Sequence, residues 1–247
     1  MNFSSSVIAR QLSNWRDSFL NSCAMFARAA LPQHCVLCAA PAHTRALCAG
    51  CYAQLPWLPA LHCPQCAIPT SSGNLCGGCL SHPPRFDTVT ATFIYAWPLT
   101  PLIHHYKYAG NLALARLLGE TLAEQTNRIV DCIIPMPLSP ARLRGRGFNQ
   151  AQEIARVVSH VTGIKLAAEA CRRVRDSAPQ ATLPWKERAK NIRGAFVCDA
   201  DFRGMRVAVV DDVLTTGATL NELARNLRKA GAIEIQGWVV ARTLKQE

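Results

Sequence analysis

Eight of the twelve cysteines follow a repeated spacing that constrains the fold more than any other feature of the sequence. They form four CxxC pairs, and the unit CxxC-x9-CxxC occurs twice with a period of 28 residues. Two residues between cysteines allow a tight turn to direct both sulfur atoms at one tetrahedral metal ion, and a second such turn completes a four-sulfur site. The eight residues are Cys35, Cys38, Cys48, Cys51, Cys63, Cys66, Cys76 and Cys79.

The repeat predicts two structural zinc sites rather than a catalytic one, because four sulfur ligands leave no open coordination position. The equal spacing favours two sequential sites, at residues 35–51 and 63–79, over sites that cross between the repeats. A disulfide framework is the alternative, but it requires an oxidising compartment, and the first thirty residues contain no apolar segment typical of a signal peptide. The other cysteines, Cys23, Cys132, Cys171 and Cys198, are expected to be ordinary small apolar residues.

The net charge of +11 favours polyanionic partners such as nucleotides, nucleic acid or an anionic membrane face, although a basic surface also serves solubility alone. No run of eighteen apolar residues occurs, so no transmembrane helix is predicted, and we expect a cytoplasmic protein. Within residues 1–30 the apolar positions have helical spacing. They predict an amphipathic helix that packs on the protein, with docking to a membrane or partner as the alternative.

A proline-containing polar segment, LSHPPRFD, follows Cys79 and predicts a domain boundary. We therefore expect an N-terminal helix at 1–30, a double zinc ribbon at 31–82 and a larger domain at 86–247. In the larger domain strands are predicted at 88–97, 129–134, 207–210 and 233–240, and helices at 99–122, 149–161 and 220–229. Strands that alternate with helices predict an α/β fold with a mostly parallel sheet.

The segment VAVVDDVLTTGATL, residues 207–220, is the most informative stretch of the larger domain. An apolar strand leads into two carboxylates and a loop of small residues, and a helix follows. N–H groups and hydroxyls of such a loop bind phosphate at a helix N-terminus, while the carboxylates can accept hydrogen bonds from sugar hydroxyls. The pattern matches the motif by which type I phosphoribosyltransferases bind 5-phosphoribosyl-1-pyrophosphate (PRPP). The predicted PRPP ligands are Asp211, Asp212, Thr215, Thr216, Gly217, Ala218 and Thr219.

Two basic segments accompany this motif. Residues 133–155 begin at a strand end with a predicted proline turn, and the arginines that follow suit a polyphosphate or a nucleic-acid backbone, a solvated basic turn being the alternative. Candidate pyrophosphate-binding residues are Lys107, Pro135, Met136, Pro137, Leu138, Arg142, Arg146, Asn149 and Gln150. Residues 175–196 are basic and lack a clean period, as is typical of a mobile flap at an active site.

Taken together, these motifs resemble the ComF/GntX family of bacterial competence-associated proteins over about residues 30–245. The resemblance rests on the double zinc ribbon, the HHYKY segment at 104–108, the PxPLxPxRLRxRGFNQ signature at 135–150 and the DDVLTTGAT loop. It also includes residues at the family's spacing in the predicted flap, of which Gln180, Arg188 and Asn191 are implied to be site residues. It implies a type I phosphoribosyltransferase-like fold, a PRPP site with Mg²⁺, and a role in natural transformation or the use of external DNA. It does not identify the acceptor that would receive the phosphoribosyl group.

Two functions from different classes remain open at this point. The first is a phosphoribosyltransferase of the glycosyltransferase class, in which a nucleophile attacks PRPP and pyrophosphate leaves; no general base stands out in the sequence. The second is a non-catalytic adaptor that senses a nucleotide or binds single-stranded DNA, while its zinc ribbons dock onto DNA-uptake or recombination proteins.

Overall fold

The computed structural model describes residues 34–42, 46–127, 129–175 and 192–244. The chain divides into two compact units, Met1–Gln54 and Leu55–Glu247. The predicted helix at 1–30 and the predicted flap residues Gln180, Arg188 and Asn191 lie outside the described residues. No helix in the described ranges combines the length and the apolar character that crossing a membrane requires.

A five-stranded parallel sheet forms the centre of the larger unit. Its strands are β1 (Thr88–Ile94), β2 (Cys132–Pro135), β3 (Lys165–Leu166), β6 (Arg206–Leu214) and β7 (Glu234–Arg242), in the spatial order β1-β7-β6-β2-β3. Every pairing is parallel. The central strand β6 is apolar at Val207, Ala208, Val209 and Val210 because both of its faces are covered, and these four residues are fully buried. The predicted α/β class is therefore confirmed.

Helices connect the parallel strands, and several of them begin or end at capping residues. They are α3 (Leu99–Ala109) and α4 (Leu112–Gln125) before β2, α5 (Pro140–Arg146) and α6 (Gln150–Thr162) before β3, and α7 (Ala218–Lys229) between β6 and β7. Asn111, Ser139 and Asn149 cap α4, α5 and α6 through side-chain oxygens that accept backbone N–H bonds. Gly110 ends α3 in the left-handed conformation, so the helix predicted at 99–122 is divided into α3 and α4.

Two boundaries differ from the sequence prediction in ways that affect the site. Strand β6 does not end at Val210 but continues through Asp211 and Asp212 to Leu214, because β7 keeps pairing with it as far as Leu214. The arginines of the 135–155 segment do not lie in a loop, since Ser139 and Pro140 start the short helix α5 before them.

A small antiparallel hairpin accompanies the main sheet. It consists of β4 (Cys171–Arg173) and β5 (Phe196–Cys198), and its register places Cys171 opposite Cys198. The two sulfur atoms are 2.6 Å apart. Cys171 is buried in the hydrophobic core and Cys198 packs against it, as expected of small apolar residues, and cross-strand pairing brings the two together from either side of the predicted flap.

The second ribbon, defined here as residues 63–79, belongs to the larger unit rather than to a module shared with the first ribbon, residues 35–51. The chain ahead of it and its first turn cover the free edge of β1. Leu58 donates to the Thr92 carbonyl at 3.0 Å, and Val89 donates to the Pro64 carbonyl at 3.0 Å. Covering an edge strand in this way satisfies its backbone groups and prevents pairing with other chains. Short helices lie in both ribbons, α1 (Ala49–Ala53) and α2 (Gly77–Ser81).

Candidate functional site

The eight cysteines of the repeat form two groups, each converging on one point. The sulfur atoms of Cys35, Cys38, Cys48 and Cys51 lie within 4.8 Å of one another, and so do those of Cys63, Cys66, Cys76 and Cys79. Sulfur atoms at the corners of a zinc tetrahedron with bonds of about 2.3 Å are about 3.8 Å apart. The Cys38–Cys48 and Cys66–Cys76 sulfur distances are 3.7 and 3.6 Å. The chain therefore carries two zinc-binding sites of four cysteines each, and ligation is sequential rather than crossed.

Backbone N–H groups prepare one thiol of each site for metal binding. Burial raises the pKa of Cys35, but N–H groups of Cys48, Cys38 and Leu37 outweigh this effect and bring the pKa to about 6. Burial likewise opposes N–H groups around Cys63, whose pKa is lowered to about 7. Since the thiolate is the form that binds metal, this arrangement favours ligation near neutral pH.

A cavity of about 600 Å³ lies where the central parallel strands end, and it is called the site cavity below. The carboxyl ends of parallel strands are the usual position of ligand sites in α/β sheets. Most predicted site residues meet in this cavity. Those that line it are Lys107, Met136, Pro137, Leu138, Arg142, Arg146, Gln150, Asp211, Asp212, Thr215, Gly217 and Thr219.

Both carboxylates of the acidic pair reach the site cavity, but their environments differ. Asp212 is 4% exposed, and its Oδ2 lies 2.7 Å from Nζ of Lys107 on α3. Burial lowers the pKa of Lys107, whereas the charge of Asp212 raises it, and the net shift is upward. The pKa of Asp211 is raised well above its usual range by burial and by the neighbouring Asp212 charge. Lys107 was predicted to contact pyrophosphate; the structure gives it the Asp212 carboxylate as its partner.

The threonine loop, residues 215–219, connects β6 to the first turn of α7. Gly217 has φ of +79°, a conformation that favours glycine, and precedes the first residue of the helix. The N–H of Ala218 donates to Oγ1 of Thr216 at 3.1 Å. Thr216 and Ala218 line a different cavity from the other loop residues, so the loop has two exposed sides. The N-terminus of this twelve-residue helix provides N–H donors and a partial positive charge for an anion.

The opposite wall of the site cavity is basic. Arg142 and Arg146 lie one turn apart on α5 and both line the cavity. Asn149 does not line it but fixes the wall, since its Nδ2 donates to the Met136 carbonyl at 3.1 Å while its Oδ1 caps α6. Pro135 lies within β2 outside the cavity lining. Gln150 is 7% exposed, and its Oε1 has no hydrogen-bond partner among the described residues.

Family comparisons agree with this two-part arrangement. Residues 26–80 match the double zinc ribbon domain, and residues 144–247 match the phosphoribosyl transferase domain. Competence protein F of Haemophilus influenzae is 34% identical over 221 residues, which cover 84% of this chain and 96% of the relative. The chain belongs to the ComF family.

Other relatives of this ComF-family chain have related names. The DNA utilization protein YhgH of Escherichia coli (strain K12) is 34% identical over 170 residues, covering 66% of this chain and 75% of the relative. Among solved structures, a phosphoribosyltransferase from Corynebacterium diphtheriae is similar, with 21% identity, a TM-score of 0.33, and coverage of 59% of this chain and 88% of that one.

Three residues that line the site cavity of this ComF-family chain were not predicted from its sequence. Arg173, at the end of β4, is 7% exposed and lines the cavity with its guanidinium 5.7 Å from the Phe196 ring. Tyr95 and Tyr108 line it as well, and Arg146 lies over the Tyr108 ring at 5.3 Å. Tyr108 ends the HHYKY segment, so its position beside Lys107 was a usable signal. Arg173 had no such signal, because its place depends on the hairpin β4–β5.

Proposed function

We propose that this protein binds PRPP together with Mg²⁺ in the site cavity and acts as a phosphoribosyltransferase in the use of external DNA. One observation carries the proposal: a single cavity combines the acidic pair, the threonine loop and a basic wall. These are the three kinds of group that a ribose with a phosphate at one end and a pyrophosphate at the other requires. The DNA-related role follows the names of the relatives, which are competence and DNA utilization proteins.

The threonine loop is the proposed binding site of the 5′-phosphate. Thr215, Gly217 and Thr219 of this loop line the site cavity and would contact the anion, and the dipole of α7 adds a favourable partial charge. The carboxylates of Asp211 and Asp212 accept hydrogen bonds from the ribose hydroxyls. The ion pair with Lys107 orients the Asp212 carboxylate and offsets its charge, which keeps this buried position from repelling a polyanion.

The basic wall is the proposed binding site of pyrophosphate. Arg142, Arg146 and Arg173 place positive charge on the side of the cavity where negative charge grows as pyrophosphate leaves, and such fixed charge is the main catalytic contribution that this site offers. The turn at residues 136–138 is held by Asn149 and by the N–H of Met136, which donates to the Val210 carbonyl at 2.8 Å. The backbone of this turn is therefore fixed beside the basic wall.

Carboxylate oxygens are the protein ligands that Mg²⁺ prefers, and the two aspartates place such oxygens at the site cavity. When bound with PRPP, Mg²⁺ neutralises part of the pyrophosphate charge. No histidine or glutamate is among the residues that line the site cavity in the described part of the chain.

The binding proposal is tested by calorimetry with PRPP and Mg²⁺. The double variant Asp211→Asn/Asp212→Asn removes both charges and keeps the side-chain size, so binding should be lost while the circular dichroism spectrum is retained. The control is Asp199→Asn/Asp201→Asn, which changes two exposed acids outside the site cavity and should bind normally. Undiminished affinity in the first variant would refute the assigned role. Pyrophosphate release in the presence of a panel of bases and amines then tests catalysis.

A second candidate function, an adaptor that binds single-stranded DNA, is favoured by Arg144. This residue lies on α5 between the two cavity arginines but is exposed and does not line the cavity. Phosphate contacts give a logarithmic salt dependence with a slope of about 0.7 per phosphate on a single strand. Arg144→Ala should therefore flatten the salt dependence of fluorescence anisotropy with an oligonucleotide and leave PRPP affinity unchanged. If the oligonucleotide does not bind even at low salt, this candidate is excluded.

A further inference from the structure

Arg242, the last residue of β7, is a buried cation that holds several backbone carbonyls at once. It is 3% exposed. Its Nε donates to the Cys66 carbonyl at 2.7 Å, and its Nη1 donates to the carbonyls of Leu214 at 3.0 Å, of Thr243 at 2.7 Å and of Thr215. One side chain thus joins the second ribbon to the start of the threonine loop.

The charge of Arg242 needs a counter-charge, since a buried unpaired cation is costly. No carboxylate forms an ion pair with it among the described residues. Arg242 lines the same cavity as Cys66, Cys76 and Cys79 of the second ribbon. A Zn²⁺ ion with four thiolates carries a net charge of about −2. The loaded second site is therefore the anion that this arginine faces.

The contacts with the threonine loop determine where its donors point. In a planar trans peptide the carbonyl of one residue and the N–H of the next point in opposite directions. By holding the carbonyls of Leu214 and Thr215, Arg242 directs the N–H groups of Thr215 and Thr216 away from itself. Loop N–H donors just ahead of a helix N-terminus are groups that an anionic ligand can use.

The second ribbon and the threonine loop also border one cavity. This cavity of about 650 Å³ is lined by Cys66, Cys76 and Cys79 of the second ribbon, by residues 216–218 and by Arg242. The segment after the ribbon contacts the loop and α7 directly. A Cβ placed on Gly217 would lie 3.6 Å from the Phe86 ring, and the Arg85 N–H donates to Oδ1 of Asn221 on α7 at 2.6 Å. Arg242 is therefore the direct link between the ribbon and the loop, and the following segment supports the loop from the same region.

We propose that Arg242 is a positioning residue through which zinc in the second site sets the shape of the threonine loop, so that phosphoribosyl affinity depends on that zinc. The inference rests on the proposed PRPP site. The first ribbon provides a matched control because it has an equivalent four-cysteine site. Arg242 binds no carbonyl of that ribbon, since every carbonyl that accepts a hydrogen bond from it among the described residues belongs to the larger unit.

The test uses the full chain loaded with zinc and measures zinc content, PRPP affinity in the presence of Mg²⁺, and amide hydrogen exchange. Cys38→Ser, in the first site, should lose one zinc and keep PRPP affinity. Cys66→Ser should lose one zinc and bind PRPP about tenfold more weakly or worse, since this is the effect of losing a charge-assisted hydrogen bond. Arg242→Gln should keep two zinc ions and show the same weakening, and Arg242→Lys, which keeps the charge, should recover part of the affinity.

Hydrogen exchange separates positioning from a general loss of stability. In Arg242→Gln and in Cys66→Ser, exchange of the Thr215 and Thr216 amides should accelerate while the amides of β6 and β7 stay protected. Should Arg242→Gln fail to fold, wild-type protein with zinc removed by a chelator and then restored provides the same comparison.

The outcomes distinguish the two proposals. If wild-type protein does not bind PRPP, the proposed function fails, and the loop exchange rates still report whether zinc acts through Arg242. If wild-type protein binds PRPP but Cys66→Ser, Arg242→Gln and stripped protein bind it equally well, the link through Arg242 is refuted and the PRPP site stands.

Discussion

The ion pair between Lys107 and Asp212 provides the sharpest test of how the site is built. Lys107→Met removes the ammonium and keeps the length of the side chain, so Asp212, whose side chain is only 5% exposed, is left as a buried charge without its partner. Breaking a buried pair in this way costs about 3–5 kcal/mol of folding free energy. We expect a value near the lower end, because Lys107 is 19% exposed and water can approach the vacated position.

A loss of about 3 kcal/mol corresponds to a decrease in Tm of roughly 6–12 °C for a domain of this size. Asp212→Asn alone should cost less, about 1 kcal/mol, since the Lys107 ammonium can shift toward solvent while the Asn oxygen keeps the N–H bond from Val213. The double variant Lys107→Met/Asp212→Asn should be more stable than Lys107→Met. A double-mutant cycle should then yield a coupling energy of about 2 kcal/mol.

Urea unfolding followed by circular dichroism measures each free energy, with Arg116→Met as the control. Arg116 pairs with Glu120 one turn along α4 at the same 2.7 Å distance, but the two side chains are 61% and 36% exposed. An exposed pair of this kind contributes about 0.3–0.5 kcal/mol. If Lys107→Met were no more destabilising than Arg116→Met, the buried pair would not have the role assigned to it.

Three further predictions concern metal, the acidic pair and backbone space. Elemental analysis should find two zinc ions per chain in purified protein and one in Cys79→Ser. Thermal unfolding of Cys79→Ser should begin at a lower temperature, because losing a ligand removes metal-binding energy from folding. Wild-type protein without zinc would contradict this prediction. Burial and Asp212 raise the pKa of Asp211, so the folded state resists its ionisation and stability falls as pH rises through that pKa. Asp211→Asn should therefore stabilise the protein by about 0.5–2 kcal/mol at pH 7 and raise its Tm there. Near pH 3 the Tm should be unchanged. Equal shifts in Tm at both pH values would argue against this prediction. Gly231→Ala should lower the free energy of unfolding by about 2 kcal/mol or more, since the new Cβ would lie 2.8 Å from the Arg203 Cα at a φ of +98°. The control, Gly145→Ala on α5, has open space for its Cβ and should be neutral or stabilising. If the Gly231→Ala protein were as stable as the Gly145→Ala protein, the backbone at Gly231 would be able to shift.

The features predicted correctly from the sequence are those whose contacts are local. Cysteines three or ten residues apart complete one metal site through two tight turns, so the spacing predicted two zinc sites and favoured the sequential ligation that the structure shows. The apolar strand, the threonine loop and α7 are consecutive, and their hydrophobic periods and small residues predicted that unit directly. Alternation of such units also determined the α/β class.

The tertiary structure decided which distant residues meet. The order β1-β7-β6-β2-β3 brings Lys107 to Asp212, and pairing of β4 with β5 brings Arg173 into the site cavity and Cys171 to Cys198. Arg242 reaches Cys66 across 176 residues of chain, and the chain ahead of the second ribbon and the ribbon's first turn cover the edge of β1. Hydrophobic period and motif spacing describe neighbours along the chain, whereas these contacts arise from strand order and edge coverage, which only the packing of the whole domain determines.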